Sequence, residues 1–248
     1  MTKFAHINNL KISIVQSSGL LELIKESFHG QVCRSIFFIN AHCSNIAQRN
    51  KEYSRVLNNA DIVLNDGSGI QIASWINGID LLENMNGTDF IPKTIELARD
   101  EGVSVFFLGA TEENINQAVK NIEKRFEGIK IGGYNNGYFS SDEDDYIVDK
   151  INSSKASLLI VGMGVPKQEM WISKHQQKFT NLKIAIAGGA ILDFLSGKIK
   201  RAPNWMRVIG IEWIFRWMQE PKRLTKRYLF GNPVFISSII KHKLRRKK

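Results

Sequence analysis

Short runs rich in β-branched and aromatic residues alternate along this chain with longer segments of helical period, which restricts the fold to βα units around a mostly parallel sheet. Strands are predicted near 35–39, 61–64, 103–108, 130–132, 158–161 and 184–187. Helices are predicted near 42–58, 69–77, 89–99, 112–126, 142–152 and 167–178, with Thr88, Thr111 and Ser141 as N-caps and Gly102 as a helix stop. The expected architecture is a Rossmann-like α/β core over 1–197, its sheet flanked by helices, followed by a helical, basic C-terminal appendage over 198–248.

Charge sets that last segment apart. The net charge of +10 is carried entirely by 198–248, where 15 Lys and Arg face only Glu212 and Glu220. The preceding 197 residues hold 19 basic against 22 acidic side chains. A mildly acidic core with a cationic end implies a polyanionic partner at that end. With 43% hydrophobic and 23% charged residues, wholesale disorder is excluded. Cys33 and Cys43 form neither a CxxC pair nor a disulfide framework, so a reducing, cytoplasmic compartment is expected and both are read as core residues. The first residues are too polar for a signal peptide, and no run of about eighteen apolar residues is available to span a bilayer.

The residues after the predicted strands carry the functional signal. They are Asn40, then Asn65-Asp66-Gly67-Ser68, Gly109-Ala110-Thr111, Gly162-Met163-Gly164 and Gly188-Gly189, small or polar in every case. The carboxyl ends of parallel strands form a ligand crevice, and glycines there let a phosphate approach backbone N–H groups, so a nucleotide-type ligand is expected. Tight βα turns use glycine for conformational reasons as well. Neither GxGxxG nor GxxxxGK[ST] occurs, which moves dehydrogenases and P-loop kinases down the order.

Asp66 is the most pointed carboxylate, placed at the crevice mouth to take a proton from an attacking hydroxyl. The same position suits an N-cap for the helix that follows. In 162–169, Pro166 stands at a helix start with Lys167 and Gln168 beside it, an arrangement suited to a sugar nucleotide. The Asp-x-Asp run at Asp142-Glu143-Asp144 offers hard oxygen ligands for a divalent cation, but acids after Ser141 are read first as a helix N-terminus. The five histidines lack zinc spacing, and no metal site is expected.

In the tail, Ile209, Trp213, Ile214, Trp217 and Met218 recur at helical spacing, and Glu212, Arg216 and Glu220 share a face as a candidate salt-bridge ladder. Lys222, Arg223, Lys226 and Arg227 follow beside Tyr228-Leu229-Phe230, and basic residues close the chain at 241–248. Basic and aromatic residues interleaved in this way suit a lipid headgroup interface, with 228–240 and 241–248 as the attachment. A nucleic-acid-binding protein is the alternative from another class, disfavoured by the acidic core and the absence of a nucleic-acid module. A catalytically inactive sugar-nucleotide-binding scaffold is a further one.

With ADIVLNDGSGIQIA, FFLGA, VGMGVPKQE, AIAGGAILDFLSGKIKRAP and GIEWIFRWMQEPKRLTKRY in that order, the chain resembles the WecG/TagA/CpsF family of bacterial glycosyltransferases over nearly its whole length. The resemblance implies inverting transfer of a hexose-type sugar from a UDP donor to an undecaprenyl-diphosphate-linked sugar of the GlcNAc type, without a bound metal or other cofactor. It places the work in teichoic acid, common antigen, capsule or exopolysaccharide assembly, at the inner face of the cell membrane. Asp66 matches the proposed base, Asn40 and Gln168 match pocket residues, and Asp193 matches an aspartate near the nucleoside. Arg216, Arg223 and Arg227 match arginines that reach the diphosphate. The remaining expected binding residues are Gly67, Gly109, Ala110, Gly162, Gly164, Lys167, Gly188 and Gly189. Family members self-associate through their cores, so a homo-oligomer is an expected partner as well. The chain departs from the family pattern at Asn65, Phe38 and Asn84, where many members carry Pro, Thr and Arg.

Overall fold

The structure, a computed structural model, describes residues 3–246. It opens with an antiparallel hairpin of β1 (Lys3–Ile7) and β2 (Leu10–Ile14). Asn8 and Asn9 make its turn at φ 49° and 63°, a left-handed pair that asparagine tolerates better than most residues. Then come α1 (Ser17–Phe28), β3 (Arg34–Ile39), α2 (Ala41–Ala47), α3 (Lys51–Asn59), β4 (Ile62–Asn65) and α4 (Ser68–Asn77). Next are α5 (Gly87–Asp100), β5 (Ser104–Gly109), α6 (Glu112–Arg125), β6 (Lys130–Asn135), α7 (Asp144–Ser153), β7 (Leu158–Gly162), α8 (Lys167–His175), β8 (Ile184–Ala187) and α9 (Ile191–Leu195). The chain ends in α10 (Asn204–Val208), α11 (Glu212–Gln219), α12 (Pro221–Thr225), a π-helical turn (Lys226–Phe230) and α13 (Gly231–Arg246).

Strands β3 to β8 form one parallel sheet in the order β4-β3-β8-β7-β5-β6, which is the α/β class the alternation implies. Successive side chains on a strand face opposite ways, so each strand feeds two cores. Phe37, Ile39, Phe106, Leu108 and Val161 face one layer with α2, α3, α7 and α8. Ile36, Phe38, Val105, Phe107 and Ile160 face the other, with α1, α5 and α6. The inner strands are buried on both faces, and only β6 at the edge alternates with exposed positions.

Several local expectations are corrected. The hairpin and α1 lie where no element was predicted, because five-residue strands and a short amphipathic helix give weak periodic signals. The single helix expected over 42–58 is two, since Asn50 accepts the Tyr53 N–H at 3.0 Å and starts a new helix. Asn86 caps α5 in place of Thr88, and Ser140 in place of Ser141 forms a capping box with Glu143.

The largest revision concerns the tail. Phe235 and Ile239 of α13 are fully buried in the core layer that contains α2. Asn8 donates to the Ser238 hydroxyl at 2.7 Å and Asn45 to the Gly231 carbonyl at 2.7 Å. Burying a phenylalanine stabilises by about 1.5–3 kcal/mol, so α13 is an integral outer layer. The stretch 228–240, expected to serve as attachment, is therefore divided by face: Phe235 and Ile239 turn inward, while Leu229, Phe230, Val234 and Ile240 stay exposed. The last two lysines of the expected basic end, Lys247 and Lys248, lie outside the described residues. Among the described residues no helix is long and apolar enough to cross a membrane.

Candidate active site

The carboxyl ends of β3, β4, β7 and β8 open into a cleft of 690 Å³, which the tail covers from the other side. Asp66 stands at its mouth. The Asp66 N–H bonds the Ile39 carbonyl at 2.8 Å, which extends the β3–β4 ladder by one rung and fixes the backbone. Helix α4 takes Gly67 as its N-cap, at φ 83° and with no side-chain capping bond, so Asp66 is not spent as a cap. Its carboxylate instead accepts the Asn40 Nδ2 at 3.3 Å.

Asn40 is itself held. Its Oδ1 caps α2 by accepting the His42 and Cys43 N–H groups at 3.1 and 3.2 Å, which leaves Nδ2 directed at Asp66. Burial raises the Asp66 pKa above the ordinary carboxylate value, and the Asn40 bond and the charges of Arg227 and Arg201 only partly offset this. The side chain keeps partial exposure because it faces the cleft. A held carboxylate with an elevated proton affinity is suited to general-base work.

Most expected glycine positions line the cleft, but their N–H groups are already engaged. Those of Gly164 and Gly189 both donate to the Gln168 Oε1, at 3.2 and 3.0 Å. Gly188 donates to the Val161 carbonyl, Ala110 to the Gly162 carbonyl, and Gly67 to the Asn84 Oδ1. In this structure these groups close the loops on one another rather than standing free for a phosphate. Gly109 does not line the cleft. At φ 140° it lets β5 and β7 approach so closely that an added Cβ would lie 2.4 Å from the Gly162 backbone. Lys167 points along the wall, its Nζ bonded to the Gly137 carbonyl at 2.9 Å and 4.8 Å from the Phe139 ring centroid. Asp193, also in the cleft lining, accepts the Asn114 Nδ2 at 2.8 Å.

Positive charge enters the cleft largely from the tail. Arg216, Arg223 and Arg227 all line it. Arg216 is buried over the Phe194 ring at 5.2 Å, and its nearest anion is Glu220, which also holds Arg223 at 2.6 Å. Neither terminal nitrogen of Arg216 completes a hydrogen bond. Burial lowers its pKa, though the Glu220 charge works against that shift. The ladder expected from Glu212 through Arg216 to Glu220 is only half present, since Glu212 turns away to Arg201 at 3.2 Å. Arg227 stacks on Tyr228 at 5.5 Å, and Tyr228 meets Trp213 edge-on.

Sequence reasoning missed His42, Tyr138, Arg207 and Tyr228, all in the cleft wall. For His42 a signal existed, since it is the second residue beyond the cap that ends β3. Two positions that depart from the family pattern, Phe38 and Asn84, line the cleft too. Asn65 is buried behind it, donating to the Glu83 carbonyl at 2.8 Å. The Asp142-Glu143-Asp144 run serves structure: Asp144 accepts from Trp171 at 2.8 Å and Lys174 at 2.6 Å and meets His175 at 3.1 Å. Among the described residues no three His, Cys, Asp or Glu side chains gather into a metal-binding group.

A family model described as "Glycosyl transferase WecG/TagA/CpsF family" matches residues 5–248. The chain belongs to that family. It is a WecG/TagA/CpsF glycosyltransferase, and curated relatives cover most of its length. One from Staphylococcus aureus strain MW2 is 32% identical over 231 residues, 92% of this chain and 89% of the relative. Another from Bacillus spizizenii is 31% identical over 196 residues, 79% of this chain and 74% of the relative. Both are named N-acetylglucosaminyldiphosphoundecaprenol N-acetyl-beta-D-mannosaminyltransferase.

Proposed function

We propose that this glycosyltransferase moves a hexose-type sugar from a UDP donor to an undecaprenyl-diphosphate-linked N-acetylglucosamine, with inversion, for cell-surface polysaccharide. N-acetylmannosamine, the sugar in the relatives' names, is the first donor to try. The observation that carries the reading is the opposition of one held carboxylate, Asp66 on the core, to three arginines on the tail across a single cleft. Asp66 takes the proton of the acceptor hydroxyl, whose oxygen forms the new bond to the anomeric carbon. The bond from that carbon to the UDP oxygen breaks on the opposite face, and Asp66 then releases the proton to solvent. Charge growing on the leaving diphosphate is met by Arg216, Arg223 and Arg227 through charge-assisted hydrogen bonds. No step is routed through a metal.

The lipid-linked acceptor brings the enzyme to an anionic membrane surface. Phe230, Leu229, Val208, Ile209 and Trp205 are exposed beside Arg207, Lys222 and Lys226, so the tail presents apolar side chains amid positive charge. On this reading the protein works peripherally at the cytoplasmic face.

The test is direct. The protein is incubated with a panel of UDP-sugars and a short-chain prenyl-diphosphate N-acetylglucosamine, and products are read by mass. A product heavier by one sugar residue, with UDP released, is expected. UDP binding without transfer across the panel would instead make the protein a sugar-nucleotide-binding scaffold.

A further inference from the structure

Beside the cleft lies a carboxyl that the reaction does not use. Glu169 is 0% exposed; its Oε1 accepts the Gln168 Nε2 at 2.8 Å, and its Oε2 has no partner. Burying a carboxyl with one donor is costly, so the position calls for a physical reason. Gln168 supplies one. The residue is 2% exposed, and its Oε1 receives the N–H groups of Gly164 and Gly189. These two glycines belong to the loops after β7 and β8 and have φ of 81° and 61°, a region that glycine occupies without strain. One oxygen atom therefore ties together two loops of the cleft wall.

A carboxamide has nearly the same shape when its oxygen and nitrogen are exchanged. Turned over, that of Gln168 would set an NH₂ group against two N–H groups. Among its hydrogen-bond partners, the acceptor that gives the NH₂ group its place is the Glu169 oxygen. Consecutive helix residues do not ordinarily face each other, so the contact is a particular arrangement of the first turn of α8.

We propose that Glu169 is a positioning residue whose buried carboxyl locks the Gln168 carboxamide with its oxygen toward Gly164 and Gly189, holding both loops in the shape that receives the donor. The lock needs an acceptor and does not need a charge. Burial pushes the carboxyl up to about 7, and its neutral and ionised forms both keep an acceptor for Gln168. Glu169→Gln preserves an acceptor in the same volume, whereas Glu169→Met fills the space without one.

Amide hydrogen exchange at Gly164 and Gly189 reads the loops directly, and steady-state kinetics read the consequence. In Glu169→Gln both amides stay protected, and kcat/KM stays within about threefold of wild type. In Glu169→Met both lose protection, and the KM for the UDP-sugar rises roughly tenfold or more, with kcat changed less. Protection retained in Glu169→Met overturns the proposal, as does damage in Glu169→Gln equal to that in Glu169→Met. Should Glu169→Met fail to fold, the wild-type protein decides: NMR couplings across the hydrogen bonds from the Gly164 and Gly189 amides to the Gln168 carboxamide carbonyl are expected, and their absence overturns the lock. Only the kinetic arm rests on the proposed reaction. The exchange and coupling arms stand if no donor is accepted.

Discussion

The two sides of the cleft differ in how fully their polar groups are satisfied. On the core side the loop N–H groups of Gly67, Ala110, Gly164, Gly188 and Gly189 all have protein partners, and Asp66 is held by Asn40. On the tail side neither terminal nitrogen of Arg216 completes a hydrogen bond, although one lies against the Glu220 carboxylate. A closed network keeps its shape, whereas a buried guanidinium that shares a single carboxylate keeps donor capacity that an anion can take up. The core thus offers fixed geometry and a held carboxylate, and the tail offers cationic donors that share one counter-anion, Glu220. Glycine-rich strand ends here mark a rigid wall, and the arginines that line the cleft with them lie more than a hundred residues away from the first of them.

The strongest way to break that division is at Asp66. Asp66→Ala should lower kcat by roughly a hundredfold to ten-thousandfold while UDP binding persists, because in the proposed reaction the base acts on the acceptor and the arginines hold the diphosphate. Near-normal turnover would reduce the core to a frame. Burial raises the Asp66 pKa, so the acid limb of the kcat/KM profile should lie above that of a free carboxylate, with rate lost as pH falls through it. Single-turnover kinetics across pH would show this limb vanish in the variant.

The next test sets one tail residue against another. Phe235 is 0% exposed and Phe230 is 67% exposed, five positions apart. Phe235→Ala should cost about 3–5 kcal/mol of stability in urea unfolding, whereas Phe230→Ala should stay within about 0.5 kcal/mol. Flotation with anionic vesicles should rank them the other way, with the soluble Phe230→Ala protein recovered at lower yield. Deleting the tail from 198 onward exposes the core layer that receives Phe235 and Ile239, so truncation cannot separate docking from catalysis and paired point variants can.

Smaller effects are expected from the arginines. Arg223→Ala and Arg216→Ala should each weaken UDP binding about tenfold to a hundredfold, as measured by calorimetry, the range for a lost hydrogen bond to a charged group. The double variant should lose less than the product of the two, because both guanidinium groups share Glu220 and each can take over that contact. Strict additivity would mean that Glu220 does not couple them.

How legible the two regions were follows from the range of their interactions. Five of the six parallel strands and the Asp66 position could be read because burial on both faces leaves continuous apolar runs, and a polar break at a strand end stands out against them, whereas the half-exposed edge strand β6 was legible only over 130–132. The hairpin escaped notice, since Leu10–Ile14 carries only five residues of weak alternation. The inward turn of Phe235 was equally hidden: the tail's composition shows basic and apolar residues together, but only packing against α2 decides which apolar face turns inward. The occupied N–H groups of Gly164 and Gly189 depend on Gln168, which reaches a loop 21 residues away, and no local pattern encodes that reach.

His42 offers the finest probe, a core residue that senses tail charge. It lines the cleft at the start of α2, and its pKa is lowered to about 4, first by burial and then by Arg227 and Arg223. The ordinary value is 6.5, so the neutral form is favoured in the folded protein; this contribution to stability is complete above that pH and declines as pH falls toward 4. A diphosphate seated on Arg227 and Arg223 cancels the charge that opposes protonation, and nearby anions raise such values by about 1–3 units. NMR titration of the His42 ring with and without UDP should therefore show an upward shift. Linkage then requires UDP to bind more tightly as pH falls below the ligand-bound value, since protonation and binding favour each other. An unmoved His42 would place the diphosphate away from these two arginines, leaving them to the membrane and Arg216 alone to the leaving group.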